Sequence, residues 1–265
     1  MSFGSAKWVR AGDCEAPYIR KTFEAKDFTE ATINICGLGF FQLYINGKRV
    51  SDDVLVPAWT DYEERGRRRL LYPINDTFTH RIYYLSYDIT PYLAEGKNSI
   101  GVLLGNGWYN QNKRNVEGDL WYGKPKLIFN IILKTKSGEK YIVSDETLKW
   151  TQSHVTENNI YFGETHDLSL KLPGFSLAAF NDSSWKAVSI VEDTPSVMEL
   201  QPCPADKKIR ALKPTIVRKL NDSVIYDCGE NTVGWVRLQY HGKDGGSVTP
   251  GLPGVTSKQP VSGCR

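Results

Sequence analysis

Two stretches of this 265-residue chain hold residue types whose spacing could do chemistry. The first is Gly163-Glu164-Thr165-His166-Asp167, where Glu164 and Asp167 could serve as proton donor and base, since cleavage of a glycosidic bond needs two carboxyl groups across it. The pair stands in a loop-like segment ahead of Pro173-Gly174, a setting that favours turn-forming or solvated carboxylates over an acid–base couple. The second is Leu103 to Asn110, LLGNGWYN, in which an apolar run ends in Gly105-Asn106-Gly107 and delivers Trp108 and Tyr109 side by side. Glycines there let the backbone adopt φ > 0 and turn sharply. The two rings could form a platform for the apolar face of a sugar, or a plug over the end of a β-sandwich.

Other chemistries find less support. Gly37-Leu38-Gly39 lacks the third glycine and the helix of a dinucleotide site, and no phosphate-binding GxxxxGK[ST] occurs. There is no GxSxG elbow, and His80, His154, His166 and His241 are scattered without an HExxH pair, which suits surface or capping roles. Cys14, Cys36, Cys203, Cys228 and Cys264 are widely spaced with no CxxC, so neither a disulfide framework nor a zinc site is predicted. Calcium is the one metal that Asp52-Asp53 or Asp61-Glu63-Glu64 could ligate; turn formation or solvation is the favoured reading of these carboxylates.

The elements that must position these residues are strands. Ala31–Cys36, Phe40–Ile45, Tyr83–Tyr87, Ser99–Leu104, Lys126–Lys134 and Val233–Tyr240 alternate or carry the Val, Ile, Tyr and Phe of β structure. Asn46-Gly47 predicts a two-residue hairpin with φ > 0 at both central positions; Ser137-Gly138 and Lys243-Asp244-Gly245-Gly246 read the same way. Helical signals are confined to short turns at Asp88–Leu93 and Leu177–Phe180. Asn181-Asp182-Ser183-Ser184-Trp185 reads as a polar turn that anchors a strand through Trp185. The fold class that follows is all-β, an antiparallel β-sandwich or jelly roll, followed by the incomplete start of a second β-sandwich domain.

Composition agrees with a globular chain: 40% hydrophobic, 24% charged and 12% aromatic residues. A net charge of +3 is too balanced to argue for nucleic acid, and Arg65-Gly66-Arg67-Arg68-Arg69 reads as a solvated edge strand. Met1–Lys7 has no apolar signal region and no stretch approaches a membrane span, so the chain as written is expected in the cytoplasm; a leader trimmed away would leave the same sequence. Glu192–Pro204, with three prolines, reads as a connector. The predicted organisation is a first domain over residues 1–205, the start of a second β unit over 206–249, and a tail over 250–265 with no pattern, expected to be disordered.

Taken in order, several motifs resemble the N-terminal region of bacterial α-L-rhamnosidases, inverting glycoside hydrolases that remove terminal α-L-rhamnose. They are Phe41-Gln42-Leu43-Tyr44-Ile45-Asn46-Gly47-Lys48-Arg49-Val50, Pro57-Ala58-Trp59-Thr60-Asp61-Tyr62, Tyr87-Asp88-Ile89-Thr90, Leu104-Gly105-Asn106-Gly107-Trp108-Tyr109, Gly163–Asp167 and Asn181–Trp185. Tyr226–Leu238 is similar to the stretch that opens the family's next β domain, with Cys228 and Glu230 where Phe and Gln are usual. The resemblance covers about residues 8 to 249. It implies that the catalytic carboxylates belong to an (α/α)₆ barrel further along, so no catalytic residue is carried over and this chain, cut before that barrel, is expected not to hydrolyse.

The expected role is therefore accessory: recognition of L-rhamnose-containing glycans through Asn106, Trp108, Tyr109 and Trp121, with the rings stacking and Asn106 bonding hydroxyls. The alternative is a purely structural module with no small ligand, packed on a catalytic domain. Exposed strand edges in the second unit also predict self-association.

Overall fold

The computed structural model describes residues 3–63, 79–111, 121–221, 223–239 and 245–249. The predicted Arg65–Arg69 edge strand, Lys243-Asp244, Glu64, His241, Cys264 and the tail from residue 250 lie outside them. In chain order the first ten strands are β1 (Val9–Arg10), β2 (Pro17–Ala25), β3 (Phe28–Leu38), β4 (Phe41–Ile45), β5 (Lys48–Arg49), β6 (Asp53–Val54), β7 (Arg81–Asp88), β8 (Gly96–Leu104), β9 (Lys126–Thr135) and β10 (Gly138–Val143). They are followed by β11 (Lys149–Gln152), β12 (Val155–Asn159), β13 (Gly163–His166), β14 (Lys186–Ala187), β15 (Ser189–Ile190), β16 (Val197–Leu200), β17 (Asp206–Lys207), β18 (Thr215–Lys219) and β19 (Val224–Asp227).

Two sheets face each other. One runs β15-β1-β9-β3-β7-β16 with β10 added on β9, and the other runs β14-β11-β2-β8-β4-β5. Ile33, Ile35, Phe129 and Ile131 from the first sheet meet Ile19, Phe23, Leu43, Ile45, Ile100 and Val102 from the second in one continuous apolar core. Removing these side chains from water is the main source of the sandwich's stability. The period of two sends the intervening residues of the first sheet outward, where Trp8, Cys36, Leu38, Ile82, Tyr84 and Ile128 build a second apolar cluster. That outer cluster needs a lid, and Tyr62 and Tyr109 complete it with Trp108 and Tyr122 packed alongside.

The hairpin at Asn46-Gly47 forms as predicted: Ile45 pairs with Lys48, and the two turn residues have φ of 49° and 83°. The predicted turn near Thr90 is a single 3-10 turn over Thr90–Tyr92. Among the described residues no helix is long and apolar enough to cross a membrane.

Three expectations are corrected. The connector Glu192–Pro204 contains β16, which lies parallel to β7 from Val197↔Arg81 to Leu200↔Tyr84. Its four residues sit between prolines that hide them from any periodicity search, and the pairing itself supplies the strand. The predicted strand Val233–Tyr240 is not formed over its described part: residues 233–239 have no ladder partner among the described residues, and Trp235, Val236 and Leu238 are exposed. Alternation without a neighbouring strand cannot satisfy a ladder's backbone groups. Finally, Trp185 is only half-buried against Phe180, and the anchor of that turn is Asp182, which accepts from Arg20 Nη1 and from Lys149 Nζ at 2.8 Å.

Beyond the two sheets, β17 pairs with β6 in a separate two-stranded ladder, so Asp206 and Lys207, just past the predicted boundary, are tied back to Val54 and Asp53. β18 and β19 form a separate hairpin whose residues are all exposed, including Ile216, Val217, Ile225 and Tyr226.

Candidate functional site

The loop after β8 explains its own glycines. Gly39 and Gly107 have φ of 65° and 51°, and the turn between β3 and β4 lies directly on the Gly105–Gly107 loop. A Cβ on Gly39 would stand 2.0 Å from the Gly105 carbonyl oxygen, and one on Gly107 would stand 2.7 Å from the Phe40 nitrogen. Backbone packs on backbone here, which only glycine permits.

Asn106 is the pin of this loop. It is 2% exposed, donates through Nδ2 to the Asn158 carbonyl (2.8 Å) and to Glu15 Oε2 (3.0 Å), and accepts through Oδ1 from Asn110 Nδ2 (2.7 Å). Its backbone N–H donates to Asn158 Oδ1 at 2.6 Å. The polar atoms expected to meet sugar hydroxyls are thus engaged inside the protein.

Tyr109 and Trp108 divide the two roles that the sequence left open. Tyr109, 3% exposed, is a plug: it stacks on Tyr122 (centroids 5.7 Å apart), meets Tyr62 edge-on at 5.4 Å and donates its hydroxyl to Glu63 Oε1. Burial, and after it the Glu63 carboxylate, push its hydroxyl pKa up. Trp108 is half-buried at the rim. Its ring lies 6.0 Å from Trp59 and 6.1 Å from Tyr161, so three rings that are distant in sequence form one aromatic surface. Trp59 is 63% exposed and Phe162, next to Tyr161, is 60% exposed. Trp121 is brought to the same loop through a backbone bridge with Asn110, and its side chain is 43% exposed.

The sequence places Trp59 only within a family motif, with no binding role, and does not single out Tyr161 or Phe162. The usable signal was local: Asn159 Oδ1 accepts from the backbone N–H of Tyr161 and Phe162, so an Asn-x-aromatic-aromatic-Gly turn presents rings much as Gly-Asn-Gly-Trp-Tyr does.

The carboxylates read as candidate catalysts are used locally. Glu164 Oε2 lies 2.7 Å from His166 Nε2, and Asp167 Oδ1 accepts from the Ser169 N–H and hydroxyl to cap the 3-10 turn Leu168–Leu170. Asp53 accepts from the Tyr87 hydroxyl, Asp52 pairs with Lys207 at 2.9 Å and Asp61 lies 3.3 Å from His80. Among the described residues no three His, Cys, Asp or Glu side chains converge as metal ligands would.

With this geometry in place, comparison with known proteins decides the family. The family described as "Alpha-L-rhamnosidase N-terminal domain" matches residues 26–70 and 67–210. The chain belongs to this family. An α-L-rhamnosidase of Formosa agariphila is 36% identical over 240 residues, covering 87% of this chain and 23% of its own length. The solved α-L-rhamnosidase from Dictyoglumus thermophilum superposes with a TM-score of 0.72 at 30% identity, over 84% of this chain and 25% of that one. The Streptomyces avermitilis α-L-rhamnosidase, solved in complex with L-rhamnose, gives a TM-score of 0.66 at 25% identity, over 82% and 20%. The α-L-rhamnosidase N-terminal domain thus spans about a quarter of the length of the relatives it matches, and the sandwich is the accessory portion they share.

Proposed function

We propose that this chain is a glycan-contacting accessory region of an α-L-rhamnosidase, and that it performs no hydrolysis by itself. The observation that carries the reading is the rim of Trp59, Trp108 and Tyr161, with centroid spacings of 6.0 and 6.1 Å. Flat rings of this kind stack on the apolar faces of a pyranose, and L-rhamnose extends its apolar surface with the methyl group on C5. Trp121 and Tyr109 flank and support the surface, while Asn106 acts by holding the loop in place. The Streptomyces avermitilis relative bears on the ligand class, having been solved with L-rhamnose. Against hydrolysis stands the local use of Glu164 and Asp167, each bonded to a near neighbour in sequence.

The deciding experiment is a calorimetric titration of the folded chain with L-rhamnose, with L-fucose as control, with and without calcium. Saturable rhamnose-selective binding that is lost in Trp108→Ala supports the reading; a folded sample that takes up no heat overturns it. An aryl α-L-rhamnoside assay is expected to show no release.

One observation favours a second reading. Ile216, Val217, Ile225, Tyr226, Trp235, Val236 and Leu238 are all exposed, and large apolar side chains exposed together in a short stretch of chain suit contact with a partner. In this reading the sandwich scaffolds a catalytic partner through that surface. Self-association of the isolated chain through the same residues would then rise with concentration and fall when Val236 and Leu238 are replaced by Lys.

A further inference from the structure

A cleft of about 440 Å³ opens where Tyr109 leaves the aromatic rim, lined by Arg10, Tyr109, Tyr122, Lys124, Lys126 and Glu192. Its volume suits a single sugar unit, at the small end of known ligand sites. The half-buried Tyr122 forms one wall, stacked near-parallel (13°) on the buried Tyr109, and the two are held by hydroxyl bonds to Asp61 and to Glu63.

The charges around that wall are unequal. Lys124 is paired with Asp13 at 2.7 Å. Arg10 Nε is buried and has no hydrogen-bond partner among the described residues. The Lys126 ammonium lies over the rings of Trp8 (5.3 Å) and Tyr109 (6.0 Å). Burial, opposed by the Glu63 and Asp193 carboxylates and reinforced by the Arg10 charge, holds the Lys126 pKa below the ordinary lysine value. The Glu63 and Asp193 carboxylates offset part of the Lys126 charge, and an anion seated between Lys126 and Arg10 would add to that offset in a partly desolvated setting. A guanidinium fork grips the two oxygens of a planar or tetrahedral acid group, and an ammonium adds a point charge. Glu192 on the rim disfavours a bare polyanion and can accept a sugar hydroxyl.

We propose that this cleft is an acidic-sugar subsite, taking a pyranose whose carboxylate or sulfate ester rests on Arg10 and Lys126 and whose apolar side lies against Tyr122, which the buried Tyr109 backs. It is separate from the Trp59–Trp108–Tyr161 surface, and so would let a single glycan present a neutral unit to one and an acidic unit to the other.

The test is titration of the full chain, followed by NMR or calorimetry, with four probes: methyl glucuronoside, galactose 6-sulfate, methyl glucoside and inorganic sulfate. Binding of the glucuronoside, the sulfated sugar or both, absent for methyl glucoside and weakened by salt, is expected, and which of the two binds identifies the acid group. Arg10→Gln should weaken it at least tenfold with an unchanged melting temperature. Lys126→Gln should do the same; if that variant fails to fold because Trp8 loses its cover, Arg10→Gln alone decides. Trp108→Ala should abolish rhamnose binding and leave the acidic sugar untouched, so failure of one site is readable apart from failure of the other. Inorganic sulfate binding as tightly as the acidic sugars means an adventitious ion only and overturns the proposal. So does equal binding of methyl glucoside, or no response to any probe from folded protein.

Discussion

Asn158 holds Asn106 from two directions, receiving its backbone N–H on Oδ1 at 2.6 Å and its Nδ2 on the main-chain carbonyl at 2.8 Å. The hairpin of β12 and β13 is thereby fastened to the glycine loop, which is how Tyr161 comes to lie beside Trp108. The two contacts predict graded stability losses. Asn158→Ala removes one acceptor and leaves a buried N–H unpaired, at a cost of about 1–3 kcal/mol. Asn106→Ala keeps its backbone N–H on Asn158 but orphans the Asn158 carbonyl and Asn110 Nδ2 and removes the bond to Glu15, so its loss should exceed that of Asn158→Ala. Denaturant unfolding with a two-state fit checks the order, with Tyr161→Ala near zero as the surface control.

Gly39 and Gly96 separate backbone strain from crowding. Both have positive φ, 65° and 90°, but a Cβ on Gly96 meets nothing within 4 Å, whereas one on Gly39 meets the carbonyl oxygens of Gly105 and Asn106 at 2.0 and 2.4 Å. Gly96→Ala is expected to cost roughly 1–2 kcal/mol from φ alone. Gly39→Ala adds a collision with main chain that cannot rotate away, worth a further ~1–3 kcal/mol, and it should displace the aromatic rim. Unequal shifts in urea midpoint would confirm the distinction; equal shifts would show that the loop yields.

Arg20 is 1% exposed, on the face of β2 turned away from the inter-sheet core, where it bonds Asp182, Ser99 Oγ at 3.2 Å and the Leu177 carbonyl at 2.9 Å. Asp182→Ala leaves that guanidinium buried without its counter-charge, and destabilisation of about 3 kcal/mol is expected, the low end for breaking a buried pair because Asp182 is partly exposed. The double variant Arg20→Met, Asp182→Ala should recover part of the loss. If both proteins melt alike, the guanidinium contributes through its other two bonds and not through the pair.

The sequence made the strands legible because hydrophobic alternation is a local signal. Ala31–Cys36, Lys126–Lys134 and the Asn46-Gly47 hairpin needed no knowledge of their neighbours. What it hid were meetings across the chain: Gly39 against Gly105, Trp59 against Trp108, and β16 against β7, each between segments whose separate patterns say nothing about proximity. The paired aromatics Trp108 and Tyr109 show the same limit on a small scale. Their types promised either a plug or a platform, and adjacency on a turning backbone sends one ring inward and the other to the rim.

His154 links the hairpin to the sandwich and carries the pH prediction. Its Nδ1 lies 2.6 Å from the Tyr18 hydroxyl, its ring meets His166 edge-on at 5.3 Å, and Lys171 and Glu164 face it with opposite charges. Burial, then the His166 and Lys171 charges, lower its pKa from the ordinary value of 6.5, and Glu164 only partly opposes them. The unfolded chain therefore binds this proton more readily than the folded one. Stability from this residue is complete above the unfolded value and declines as pH falls from about 6.5 toward the folded value. His154→Gln keeps a polar partner for Tyr18 without a titrating ring, so it should flatten the dependence of unfolding free energy on pH in that window while leaving stability at pH 8 within about 1 kcal/mol of the parent. Urea denaturation at half-unit steps from pH 5 to pH 8 reads the slope. An unchanged slope in the variant would assign the acid sensitivity to other groups and remove His154 from the account.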